Sequence, residues 1–157
     1  MKIDVLEDNT FVVYLNKYYI KEIENINKDN IQKYLKTIFL CLKKKYGVNI
    51  YSYFNIDCYI NKSYGLILEV REEPVGFHFF TKKTDMKLTF YNNSKILYNI
   101  DDYFIKDILK NNDYKLYIRE NQFFLDMDNL DEKESAYIIE NTKKIIYGEN
   151  IQSIINN

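Results

Sequence analysis

An α+β fold is expected of this chain, with antiparallel strands in two related β-β-α-β-β halves and long helices near 30–46 and 132–147. Three observations carry the expectation. Apolar and polar residues alternate with period two over 50–60, an apolar stripe of period 3.6 runs through 30–46 while capping residues bracket 132–147, and the chain resembles itself when position 86 is laid on position 1.

In chain order, residues 2–6 and 10–15 read as two strands around the polar turn Glu7-Asp8-Asn9. Ile3 and Val5 alternate with Lys2 and Asp4, whereas Phe11–Leu15 is a continuous apolar run suited to a more buried strand. A short helix is expected at Lys17–Ile23. The next helix, 30–46, sets Ile31, Leu35, Ile38, Leu42 and Tyr46 on one stripe flanked by Phe39, with Asp29 and Gln32 as N-terminal cap and Gly47 at the C-terminal end. Over 50–60, Ile50, Ser52, Phe54, Ile56, Cys58 and Ile60 face one way and Tyr51, Tyr53, Asn55, Asp57 and Tyr59 the other, a half-buried strand that pairs with Leu66–Val70 through a turn at Asn61–Gly65. Residues 71–85 hold the chain's one proline, Pro74, together with Gly76 and two charge runs, and read as a connector.

Beyond the connector, strands are expected at Met86–Tyr91 and Lys95–Asn99, a short helix capped by Asp101-Asp102 and running to about Asn111, a hairpin at 114–119 and 122–127, and a last helix over 132–147. Asp131 and Glu134 stand in capping-box register at its start, and Gly148 follows its end. Residues 1–23 lie on 86–108 without a gap, most closely where Tyr18-Tyr19-Ile20-Lys21 meets Tyr103-Phe104-Ile105-Lys106. The domain expectation is therefore a first half, 1–70, the connector 71–85 and a second half, 86–157, packed as one unit.

Composition limits the function. Of the 157 residues 46% are hydrophobic and 17% aromatic, enough apolar surface to exclude a disordered chain. The formal net charge of −1 lacks the basic excess by which nucleic-acid binders are recognised. No apolar run approaches the roughly 20 residues that span a bilayer, and the opening Met1-Lys2-Ile3-Asp4 leads into an alternating strand rather than a signal peptide. Cys41 and Cys58 then read as small buried hydrophobes in a reducing cytoplasm.

Chemistry is scarce. The single histidine, His78, lies in Gly76-Phe77-His78-Phe79-Phe80 with neither cysteine nearby in sequence, so no catalytic dyad or zinc site can be written. The acidic run Asp126–Glu132 has Leu130, Asp131 and Tyr137 where a calcium loop wants its fifth ligand, glycine and glutamate, and a helix N-terminus explains its carboxylates. Four glycines, at 47, 65, 76 and 148, make no phosphate-binding loop. Catalytic, cofactor-binding and metal-ligating residues are accordingly none, and no cofactor is expected. Phe77, Phe79 and Phe80 read either as an extra strand entering the core or as an apolar loop that docks a partner; they are the candidate partner-binding residues. Tyr51, Tyr53 and Tyr59 pose the same choice between recognition surface and packing face.

The order Met1-Lys2-Ile3 through Thr10–Leu15, a helix, and a hairpin ending Gly65-Leu66-Ile67-Leu68-Glu69-Val70 resembles the N-terminal unit of the MecA-type adaptors of low-GC Gram-positive bacteria. Leu116-Tyr117-Ile118, Phe123-Phe124-Leu125, Asp131-Glu132-Lys133-Glu134 and Tyr147-Gly148 are similar to the order in their C-terminal domain. The resemblance implies an adaptor that presents substrates to a Clp ATPase. Together these readings point to a non-enzymatic cytoplasmic interaction module, adaptor or regulator, with a protein partner and neither nucleic acid nor membrane. The alternatives are a small carboxylate-dependent enzyme and a structural homodimer.

Overall fold

The structure, a computed structural model, describes residues 1–7, 9–18, 20, 26–47, 49–73, 76–103, 106 and 113–156, with the backbone alone at 77–79. Most of the helices expected at Lys17–Ile23 and from Asp101 to about Asn111 lies outside the described residues. So do Asp8, Pro74 and part of the stretch that anchors the internal similarity. The fold is a mixed α+β one: strands β1 (Lys2–Glu7), β2 (Thr10–Asn16), β3 (Tyr53–Asn61), β4 (Gly65–Glu73) and β5 (Asp85–Tyr91) form a sheet of order β1-β2-β4-β3-β5, and β6 (Ile96–Ile100), β7 (Tyr114–Arg119), β8 (Gln122–Met127) and β9 (Thr142–Tyr147) form one of order β7-β8-β6-β9. Helices described over their full length are α1 (Lys28–Tyr46), α2 (Gly76–Thr81), α3 (Glu132–Asn141) and α4 (Gln152–Ile155), the last preceded by a 3-10 turn at Gly148–Ile151. Residues 1–58 and 66–91 make one unit; 59–65 and 92–157 make a second.

In the first unit α1 begins where Asn27 accepts from the Asn30 N–H at 2.9 Å and ends at Gly47, whose φ of +67° lets its N–H reach the Lys43 carbonyl at 3.0 Å. Ile31, Leu35, Ile38, Phe39 and Leu42 are buried along one stripe. Phe39 stacks on Phe54 of β3 at 4.5 Å between centroids and meets Phe11 of β2 edge-on at 6.1 Å. Each such side chain contributes roughly 1.5–3 kcal/mol by leaving water, so this aromatic triad fixes the helix on the sheet. The alternation expected in β3 holds in part: Phe54, Ile56 and Cys58 are buried, but Asp57, expected on the other face, is buried too and Ile60 is only half-buried. β5 is held beside β3 by the Thr84 hydroxyl on the Ile50 carbonyl at 2.5 Å and the Asp85 N–H on the Ser52 carbonyl at 3.1 Å.

In the second unit β6 is central. Leu97 lies opposite Ile146 of β9, and Asn99 opposite Phe124 of β8. Leu97, Phe124 and Ile146 then pack with Ile151 and Ile154 of the C-terminal segment. The hairpin tip 59–65 is fastened here: the Asn61 carboxamide accepts from the N–H groups of Ser63 and Tyr64 and donates to the Ser94 carbonyl at 2.8 Å, while the Asn129 N–H donates to Ser63 Oγ at 3.0 Å.

Several expectations are corrected. Residues 132–147 are not one helix: α3 ends at Asn141, where the Thr142 hydroxyl donates to the Ile138 carbonyl at 2.6 Å, and the chain continues extended as β9 against β6. The capping box at its start is present, Asp131 and Glu134 bonding each other's backbone N–H. Gly76–Thr81 is a helix rather than an extra strand or a loop. Cys41 is exposed and Tyr46 is 62% exposed, because Cys41 lies off the buried stripe and Tyr46 closes the last turn, beyond the sheet-facing residues. Cys58 is buried as expected. Among the described residues no helix is long and apolar enough to cross a membrane.

Candidate functional site

The candidate partner-binding residues sit on α2, a six-residue helix between β4 and β5. Phe80 is 84% exposed, the highest value among the large hydrophobic side chains described. The side chains of Phe77, His78 and Phe79 lie outside the described residues. The helix is short because Gly76 starts it, with no acidic residue in its first turn, and Lys82 ends it in a left-handed conformation with φ of +50°.

The three tyrosines of β3 and the segment before it take different partners. Tyr51 lies under the Lys43 ammonium at 4.8 Å, and Tyr59 packs against Tyr147 with centroids 5.0 Å apart. Tyr53 is half-buried. None of the three is a bare recognition surface; each is partly covered.

The acidic run divides as the helix-start reading requires. Asp126, on β8, pairs with Lys95 at 2.7 Å, and that bond raises the lysine's pKa. Asp131 caps α3. Among the described residues no three His, Cys, Asp or Glu side chains are arranged to hold a metal ion. Cys58 is an unreactive thiol: burial, then the neighbouring Asp57 charge, pushes its pKa up to about 12, which suppresses the nucleophilic thiolate.

The sequence did not single out a polar strip across the second sheet. Asn99 is only 8% exposed in an otherwise apolar strand, and its amide donates to Gln122 Oε1 at 2.9 Å. Lys144 lies opposite it on β9. These three residues line two adjoining depressions. One, of about 750 Å3, is completed by Arg119, Glu120 and Ser153, with Arg119 Nε donating to the Ile154 carbonyl at 2.9 Å. The other, of about 440 Å3, includes Asp101 and Asp102, and there Asp101 is ion-paired with Lys143. The one sequence signal was an asparagine inside Ile96-Leu97-Tyr98-Asn99-Ile100, a polar group in a buried strand that needs a partner. The strip gives the second unit a hydrogen-bonding recess whose lining acids are Glu120 in one depression and Asp101 and Asp102 in the other. Compared with family models, curated proteins and solved structures, the chain matches none.

Proposed function

We propose that this protein is a non-enzymatic interaction module that works in the cytoplasm as an adaptor or regulator. The observation that carries the reading is the 84% exposure of Phe80 on a short helix between two strands. Covering a phenylalanine is worth roughly 1.5–3 kcal/mol, and aromatic anchors of this kind dominate protein interfaces. The resemblance to MecA-type adaptors favours a partner that is itself a protein awaiting delivery to a Clp ATPase. Pull-down from a native lysate should recover a stoichiometric partner with the wild-type chain and lose it with Phe80→Ser, whose unfolding midpoint stays unchanged because the ring is exposed. Retention of the partner by a folded Phe80→Ser protein would sink the proposal.

The two sheets also favour an internal duplication. Read from one side, the orders are β1-β2-β4-β3-β5 and β9-β6-β8-β7. Strands β6, β8 and β7 stand where the sequence offset and the hairpin order put the counterparts of β2, β4 and β3. Strand β9 takes the place beside β6 that β1 takes beside β2, and β5, the counterpart of β1, lies in the first sheet beside β3. An experimental structure in which β2-β4-β3 superposes on β6-β8-β7 with matching strand directions supports common descent; opposed directions remove it.

A further inference from the structure

We infer that β1 is a homodimerisation strand that pairs antiparallel with β1 of a second copy, Ile3 opposite Ile3, extending the five-stranded sheet across a two-fold axis. β1 is the terminal strand of its sheet, and among the described residues no strand lies on its outer side. An open strand edge is a template for another chain. Apolar side chains along it are bare, Val5 at 75% and Leu6 at 55% exposure, and Met1 just before the strand is 49% exposed.

The register follows from which residues share a face. Ile3 stands opposite Val13 and Val5 opposite Phe11, so Ile3 and Val5 lie on the face where Phe11 meets Phe39 of α1. Lys2 stands opposite Tyr14 and Asp4 opposite Val12, on the other face, where the Lys2 ammonium lies 3.1 Å from Asp4 and over the Tyr14 ring. A two-fold axis perpendicular to the sheet preserves faces, so it pairs odd positions with odd and even with even. With Ile3 on the axis, Met1 meets Val5 of the second copy and Lys2 meets Asp4, twice each. The apolar residues of one face then cover one another, and every charge on the other face meets its opposite. Sliding the copies two residues one way sets Asp4 against Asp4; sliding them the other way sets Lys2 against Lys2. Like charges directly opposite are unfavourable, so the charges select one register. The irregularity between Val5 and Glu7 ends regular pairing beyond that point, which limits the template to a short segment and keeps it from propagating. Edge charges and a bulge also serve to prevent pairing, and the difference here is that these charges are self-complementary.

The dimer surface is separate from Phe80, so the two proposals stand or fall apart. The test is sedimentation of the full chain across a wide concentration range, with Lys2→Glu, the charge-swapped Lys2→Glu/Asp4→Lys chain, and thiol cross-linking in a Cys41→Ser background. The wild type should dimerise; Lys2→Glu should weaken the dimer at least about fivefold at low salt, and the swap should restore it. Ile3→Cys should give a disulfide-linked dimer, since directly opposed Cα atoms are about 4.5–5.5 Å apart. Val5→Cys should not, because its copies stand roughly 14 Å apart in this register. A wild type that stays monomeric at all concentrations overturns the proposal and leaves the edge for a strand of another protein. So does a dimer that is insensitive to Lys2→Glu and gives no more cross-link with Ile3→Cys than with Val5→Cys.

Discussion

Arg71 and Asp57 face each other across β4 and β3, with Nη2 2.6 Å from Oδ2, while the other arm of the same guanidinium reaches Glu69 at 3.1 Å. The Asp57 side chain is only 13% exposed, so its charge has lost most of its water and depends on this partner. The arginine is 45% exposed, which limits what the pair is worth. Arg71→Ala should therefore lower the free energy of unfolding by about 1–2 kcal/mol, chiefly by leaving a carboxylate under cover without its counterion. Arg71→Lys should recover only part of that, because one ammonium does not reproduce a fork engaging two carboxylates. Urea unfolding of the three chains checks the order; an Arg71→Ala chain as stable as wild type would show the bridge to be ornamental.

The two thiols should separate cleanly by reactivity. Cys41 is exposed on α1, whereas Cys58 is fully buried in β3 and its thiol is pushed up to about 12. At mildly alkaline pH a thiol reagent should label one cysteine in the folded chain and two after denaturation. Peptide mapping should find the early label on Cys41; early labelling of Cys58 would mean that β3 opens far more readily than its burial implies.

How far the fold could be read from sequence is clearest in 132–147. The capping box at Asp131 and Glu134 announced a helix, and one starts there. Its end is not legible, because residues 142–147 suit a strand as well as a helix. From Thr142 on, pairing with β6 decides the outcome, and Ile145 and Ile146 serve as strand residues opposite Tyr98 and Leu97. By contrast α1 and β3 were legible because each has one unambiguous period. The polar strip was not, since Asn99, Gln122 and Lys144 come from three strands brought together by tertiary pairing. The aromatic segment at Phe77–Phe80 stood out by composition, but nothing local distinguished a strand from the helix that forms.

Gly148, expected to close a helix, instead follows β9 with φ of +63°, and a Cβ placed there would lie 3.2 Å from Cε1 of Tyr59. Gly148→Ala should meet two costs, the left-handed backbone of a residue with a Cβ and the push on a ring already packed against Tyr147. The expected loss is about 1–2 kcal/mol. Adding Tyr59→Leu should make the second cost vanish, so that the two changes are less than additive in a double-mutant cycle. Strict additivity in thermal or urea unfolding would place the whole penalty in the backbone.

Alkaline unfolding should expose the buried acids that have no charge at neutral pH. Burial, then the charges of Asp4 and Glu69, pushes the Tyr14 hydroxyl up to about 12 from an ordinary value of 10.0, and Cys58 rises to about 12 from 9.0. In both cases the folded chain holds its proton at a pH where the unfolded chain has released it. The contribution to stability is therefore complete below the unfolded pKa and is lost as pH climbs toward the folded one, from 9 to about 12 for Cys58 and from 10 to about 12 for Tyr14. Unfolding free energy should fall across this window. Tyr14→Phe should flatten the slope only above pH 10, whereas Cys58→Ala should flatten it from pH 9 upward. Tyr14 ionisation, followed as the ultraviolet absorbance difference between the wild type and Tyr14→Phe, should begin at higher pH in the folded chain than in the chain unfolded in urea. A Tyr14 that ionises over the same pH range in both states would mean that β2 does not shield the hydroxyl between the charges of Asp4 and Glu69.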